Sequence, residues 1–232
     1  MLIRQSLLET FVERRYKKVL KNYHIIDNLI NILNTTNEVF IFGGWIRDCV
    51  HEYIHNQPLS WNDIDLVIKG KIDEQVLSNL EKNNFGGFKL EFNNGKRIDF
   101  WELEKTFAFR EKIFEPSIEN LLRSTVFTVN SLVFTTKSFQ LMDYLAIEDI
   151  SKRMIKFNCK DYLHVFPELQ VFRAIELADK LGYEFDNEIR RFILDHLKKT
   201  SPNKFLNSIL IHKKWVSKQD VDKIYAIFKN QL

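Results

Sequence analysis

The most constraining feature of this sequence is a short apolar run, Glu38-Val-Phe-Ile-Phe42, that stops at two consecutive glycines, Gly43 and Gly44. β-Branched and aromatic residues closed by glycine mark a buried strand. Trp45 to His55 then reads as a helix, stopped near Pro58. A strand turning through Gly-Gly into a helix suits phosphate chemistry. Backbone without Cβ lets an anion come close, and the first amide N–H groups of the helix have no intrahelical partner. The chain holds only seven glycines in 232 residues, so two side by side at such a turn carry weight.

The same scarcity, with only four prolines, excludes collagen-like, low-complexity and linker-rich chains and points to long helices joined by short turns. Residues 2–34 are helix-rich, with Asn34-Thr-Thr-Asn as a turn. Asp63-Ile-Asp-Leu-Val-Ile68 is a second strand, and Asp73 to Asn84 reads as an amphipathic helix. Phe88–Phe92 and Arg97–Trp101 are strands around the hairpin signal Asn93-Asn94-Gly95, and Phe127–Phe134 with Phe139–Tyr144 form another pair. From Asp161 onward nothing is strand-like, and helices are expected over 161–181, 187–199, 203–211 and 218–231. The expected fold is α+β: a head with a mixed β-sheet over 1–155, followed by an all-helical segment over 156–232.

Charge follows this division. Residues 151–232 carry a balance of +6 and residues 1–150 a balance of −3. That pattern is compatible with a metal-holding region beside a polyanion-holding one, and equally with solvated helix faces. Cys49 and Cys159 cannot make a disulfide framework. No apolar run approaches the roughly 20 residues of a membrane span. Met1-Leu-Ile-Arg-Gln lacks the layout of a signal peptide, so a cytoplasmic location without membrane contact is expected.

Asp63 and Asp65 are two apart on a strand and therefore share a face. Two like charges that close stay ionised most easily around a cation, and hard carboxylate oxygens suit Mg²⁺ together with substrate phosphates. Asp99, in Arg97-Ile-Asp-Phe-Trp, sits mid-strand among apolar residues and is a candidate third ligand. Three such acids can serve a two-metal site that activates a hydroxyl and stabilises leaving pyrophosphate. Arg47, in the first turn after Gly-Gly, can add a bidentate phosphate contact.

Gly43-Gly-Trp-Ile-Arg-Asp48 followed by Asp63-Ile-Asp-Leu-Val67 resembles the signature of class II CCA-adding enzymes and bacterial poly(A) polymerases, members of the polymerase β-like nucleotidyltransferase superfamily. Phe127-Thr-Val-Asn-Ser131, Leu141–Ile150 and Phe172–Tyr183 are similar to later family segments, the last to its neck helix. The resemblance spans roughly 38–190, in the family's order. It implies a nucleotidyltransferase head with a helical neck, Mg²⁺ on Asp63 and Asp65, and Asp99 at the third acidic position, orienting or deprotonating the attacking hydroxyl. It places Gly43, Gly44, Arg47, Asp48, Arg123, Asn130 and Arg173 around an NTP. The implied reaction moves an NMP from the NTP to a hydroxyl, with a tRNA-like RNA 3′ end as the leading acceptor. A protein or small molecule is the alternative acceptor, and a nucleotide-binding module without turnover is a third reading.

The chain also departs from the family. Its Arg-Arg-Asp reads Ser124-Thr125-Val126 here, with Arg123 displaced by one position. Its base-reading Glu-Asp-x-x-Arg falls on Phe166-Pro-Glu-Leu-Gln170, so the nucleotide is left open. Little chain remains for the family's tRNA-gripping body. A competing motif is His51-Glu-Tyr-Ile-His55, which with Glu74 has the spacing of a zinc peptidase. Pro58 ends that helix too soon for such a site, and histidines on an exposed or half-exposed face are the expectation. Trp45 is expected to pack rather than stack on a base, and the basic run Arg14, Arg15, Lys17, Lys18 and Lys21 to face solvent.

Overall fold

The computed structural model describes residues 4–73, 80–83, 86–161 and 163–228. The chain divides into two units, one of residues 1–125 and 129–151, the other of 126–128 and 152–232.

The first unit opens with helices α1 (Gln5–Asn22) and α2 (His24–Thr36). α2 runs through the expected turn at Asn34. The Asn34 amide is tied to Thr136 Oγ1 (3.1 Å), and Asn37 ends the helix instead, bonding Leu33 O through its backbone N–H (3.1 Å) and its side chain (3.2 Å). Strand β1 (Glu38–Phe42), helix α3 (Gly44–His55) and strand β2 (Asp63–Lys69) follow as the apolar pattern requires. Most of the expected helix over 73–84 lies outside the described residues; its end is strand β3 (Glu81–Lys82). β4 (Phe88–Glu91) and β5 (Arg97–Glu102) form the hairpin around Asn93-Asn94-Gly95, where Phe92 N–H donates to Lys96 O (2.8 Å).

Helices α4 (Phe107–Arg110) and α5 (Ile118–Arg123), strands β6 (Leu132–Thr135) and β7 (Leu141–Asp143), and helix α6 (Ala146–Ser151) complete the unit. The expected strand from Phe127 is shorter at its start. Thr128–Asn130 is a 3-10 turn, held by Ser131 Oγ on Leu122 O (2.5 Å) and by Arg47 on the Asn130 side chain. Phe139 has φ 58° and lies in the turn before β7.

The sheet runs β3-β4-β5-β2-β1-β6-β7, with β2 and β5 parallel and the other neighbours antiparallel. Val39, Phe40 and Ile41 are all buried, so central β1 is covered on both faces. α3 contacts β1, β2 and β6, and packs between α1 and α6.

The second unit is mostly helical: α7 (Pro167–Leu181), α8 (Asn187–Lys199), α9 (Pro202–Leu210) and α10 (Lys218–Phe228). α7 starts later than the expected 161 because Pro167 takes the first-turn position its fixed φ suits. One expectation is corrected. Glu184–Phe185 (β9) is a strand, paired in parallel with Met154–Ile155 (β8). Two residues are too few to show an alternating pattern in a sequence. Val126–Thr128 joins the same unit: Phe127 bridges Phe157, Thr128 N–H donates to Lys156 O (3.0 Å), and Asn158 N–H donates to Val126 O (2.9 Å). No helix among the described residues is long and apolar enough to cross a membrane.

Candidate active site

Strand register assembles the carboxylates. Phe42 of β1 pairs with Asp65 of β2, which pairs in turn with Asp99 of β5, while Asp63 pairs with Arg97. Directly paired residues share a sheet face, so Asp63, Asp65, Arg97 and Asp99 form one patch. Because β1 and β2 are antiparallel, the turn at Gly43-Gly44 lies at the sheet end where β2 begins with Asp63.

Asp99 is buried, at 6% exposure, rather than solvent-facing. Both its oxygens are engaged: Asn83 Nδ2 donates to Oδ1 (3.1 Å) and Arg97 Nε approaches Oδ2 at 2.8 Å. Arg97 Nη2 also reaches Asp63 Oδ2 at 3.2 Å, so one guanidinium bridges the two strands' acids. Partial burial pulls the Arg97 pKa down, but the charges of Asp99, Asp63 and Asp65 outweigh it and hold the pKa above its ordinary value. The sequence reading overlooked Arg97 and Asn83. Arg97 had a visible signal: it stands two residues before Asp99 and therefore shares its face.

Gly43 caps α3 with φ 72° and ψ −121°, a backbone conformation for which a side chain is strained. A Cβ placed there would meet nothing within 4 Å, so open space borders this backbone. Gly44 faces Arg47, whose guanidinium would lie 3.7 Å from its Cβ. Arg47 itself is buried. Nε (2.9 Å) and Nη2 (2.7 Å) donate to Asp48 Oδ1, and Nη1 donates to Asn130 Oδ1 (2.7 Å). Gly43, Gly44, Arg47, Asp48 and Asn130 thus gather at the start of α3. Arg123 does not join this group; it is exposed at the end of α5, with its guanidinium carbon 5.5 Å from the Tyr144 ring centre. Arg173 belongs to α7 of the second unit.

Solved structures similar in fold include a CCA-adding enzyme with CTP, at TM-score 0.64 and 18% identity over 98% of this chain and 55% of that one. The Thermotoga maritima CCA-adding enzyme complexed with tRNA matches at TM-score 0.63 and 20% identity, covering 99% and 55%. A tRNA nucleotidyltransferase complexed with a primer tRNA and an incoming ATP analog matches at 0.57 and 18%, covering 83% and 58%. The likeness is one of fold: a mixed α/β chain with a seven-stranded mixed sheet, like that of the nucleotidyltransferase head in these solved chains. The chain spans about half the length of these solved chains. No family model matches it, and no curated protein does.

Among the described residues no group of three or more His, Cys, Asp or Glu side chains is arranged to hold a metal ion. Asp99 in particular is turned to Arg97 and Asn83. Asp63 and Asp65 nevertheless fit Mg²⁺, which takes one or two carboxylates plus phosphate oxygens. A cation, the Arg97 guanidinium, already stands against this patch. Among the described residues the His-Glu-x-x-His motif forms no three-ligand site for zinc. His51 is buried at 1% exposure, not exposed or half-exposed as expected, and His55 Nε2 lies 2.8 Å from Ile150 O. Glu52 pairs with Arg15 (2.8 Å), and Glu74 lies outside the described residues. Trp45 is buried, as packing requires.

Proposed function

We propose that this chain is a metal-dependent nucleotidyltransferase that moves an NMP from an NTP to the 3′ hydroxyl of a tRNA-like RNA. The observation that carries the reading is the strand register, which sets Asp63 and Asp65 beside Asp99 at the sheet end where Gly43-Gly44 opens α3. Further support comes from the fold's likeness to enzymes solved with CTP, with tRNA and with an ATP analog.

In this reading the Gly43-Gly44 backbone and the unpaired amides of α3 receive the triphosphate. Asp63 and Asp65 would hold Mg²⁺, which when bound neutralises charge on the phosphates and lowers the pKa of an attacking hydroxyl. Arg47, fixed by Asp48 and Asn130, stiffens the phosphate turn and adds positive potential behind it. Asp99, anchored by Asn83 and Arg97, orients the acceptor hydroxyl.

Incubation with each α-labelled NTP and total tRNA tests this. Label on RNA that disappears in the Asp63→Asn/Asp65→Asn double variant is the expected result. Label on protein would replace the acceptor, and measurable NTP affinity without any label would replace turnover with binding alone. Full activity in the double variant would sink the mechanism.

A further inference from the structure

The geometry points to Arg97 as a resident cation that takes the place of a second metal ion, so that the carboxylate patch accepts one divalent cation and not two. This inference rests on the proposed function, since it concerns the same site. Arg97 contacts Asp63 Oδ2 at 3.2 Å and Asp99 Oδ2 at 2.8 Å, and Asp65 adds to the field that it feels. Among these four side chains, three carboxylates against one guanidinium leave a formal surplus of two negative charges, which one divalent cation cancels; Lys89, opposite Asp99 on β4, is engaged by Glu81 (3.0 Å) and Glu91 (3.1 Å). A second divalent cation would have to form against Arg97 or expel it. The arrangement is built rather than incidental. Asp63 pairs with Arg97 across parallel strands, and Asn83 holds the far oxygen of Asp99 so that its near oxygen meets Nε. Asp99 is thereby a partner of Arg97 and a positioning group, not a metal ligand.

The size of the effect follows from Coulomb's law. A divalent ion about 6 Å from a guanidinium, even at the dielectric of water, is repelled enough to weaken its binding about tenfold; poorer screening increases this. Arg97→Gln in the full-length chain should therefore tighten Mn²⁺ binding about tenfold or more, read as free Mn²⁺ by electron paramagnetic resonance. Arg97→Lys keeps the charge and should stay near wild type. Arg97→Gln/Asp99→Asn restores the original charge sum and should return near wild type.

Wild-type stoichiometry supplies a second readout that needs no variant of Arg97. One Mn²⁺ per chain, lost in Asp63→Asn/Asp65→Asn, is expected; two tight ions would overturn the inference. An Arg97→Gln chain binding Mn²⁺ no more tightly than wild type would also overturn it, as would Arg97→Lys binding as tightly as Arg97→Gln. If wild type binds Mn²⁺ through Asp63 and Asp65 and only these Arg97 results fail, the proposed function stands. If folded wild type binds no Mn²⁺ with or without NTP, both fall.

Discussion

Replacing Arg47 by methionine removes the cation from a pair whose two members are each 6% exposed. Three hydrogen bonds go with it, two to Asp48 Oδ1 and one to Asn130 Oδ1. Breaking a buried pair by deleting one partner costs about 3–5 kcal/mol, because the remaining charge stays in a poorly solvated place. Asp48 keeps other interactions, so the lower figure applies, about 3 kcal/mol. For a chain of this size that lowers the melting temperature by about 6–12 °C. Urea denaturation of wild type, Arg47→Met, Asp48→Asn and the double variant completes a cycle. The double variant should cost less than the sum of the singles by about 2 kcal/mol. Additive costs, or a single-variant loss below about 1 kcal/mol, would refute the view of Arg47 as a buried structural cation. Weakened NTP affinity with unchanged stability would instead assign its guanidinium directly to phosphate.

Gly43→Ala meets no clash but must hold a left-handed φ of 72°, so a loss of about 1–3 kcal/mol is expected in denaturant titration. Cys49 is buried at 4% exposure, and burial pushes its thiol pKa up, so it should resist iodoacetamide at mildly alkaline pH until the chain unfolds. Mass spectrometry of labelled peptides checks this. Burial pushes the Glu102 carboxyl upward, but Lys105, the Ile72 N–H and Lys71 overcome it and hold its pKa below the usual glutamate value. A carboxyl depressed on folding stabilises above its unfolded pKa and loses that contribution as pH falls through the folded one. Unfolding curves at falling pH should therefore show a shallower acid loss for Glu102→Gln than for wild type.

The parts of the fold that could be read from residues alone are those fixed by local chemistry. Glu38–Phe42, the Gly43 turn, α3 and the Asn93-Asn94-Gly95 hairpin each follow from patterns within a dozen neighbours. What escaped depends on partners distant in the chain. Thr128–Asn130 abandons the strand because Asn130 answers Arg47, and Glu184–Phe185 is a strand only because Met154–Ile155 lies beside it. The site shows the same split. Asp63 and Asp65 were legible as candidates by their spacing, and Asp99 as a candidate third acid by its place mid-strand among apolar residues. The turn of Asp99 toward Arg97 and Asn83 depends on the parallel pairing of β2 with β5 and on a side chain from another strand's end. His51 misled for the same reason: a helix face read as open or half-open is closed once its neighbours pack on it.

The placement of Val126–Thr128 in the second unit has a consequence for biosynthesis. The chain leaves the first unit, contributes three residues to the second, returns, and leaves again at Lys152. As the polypeptide emerges from the ribosome, the first unit can close once Ser151 is out, but Phe127 must wait for Phe157, and the Val126 carbonyl for the Asn158 amide. Nor can the second unit be cut free as a contiguous fragment. A piece starting at Lys152 lacks the strip that receives Phe157 and satisfies Lys156, so the second unit is not a contiguous module.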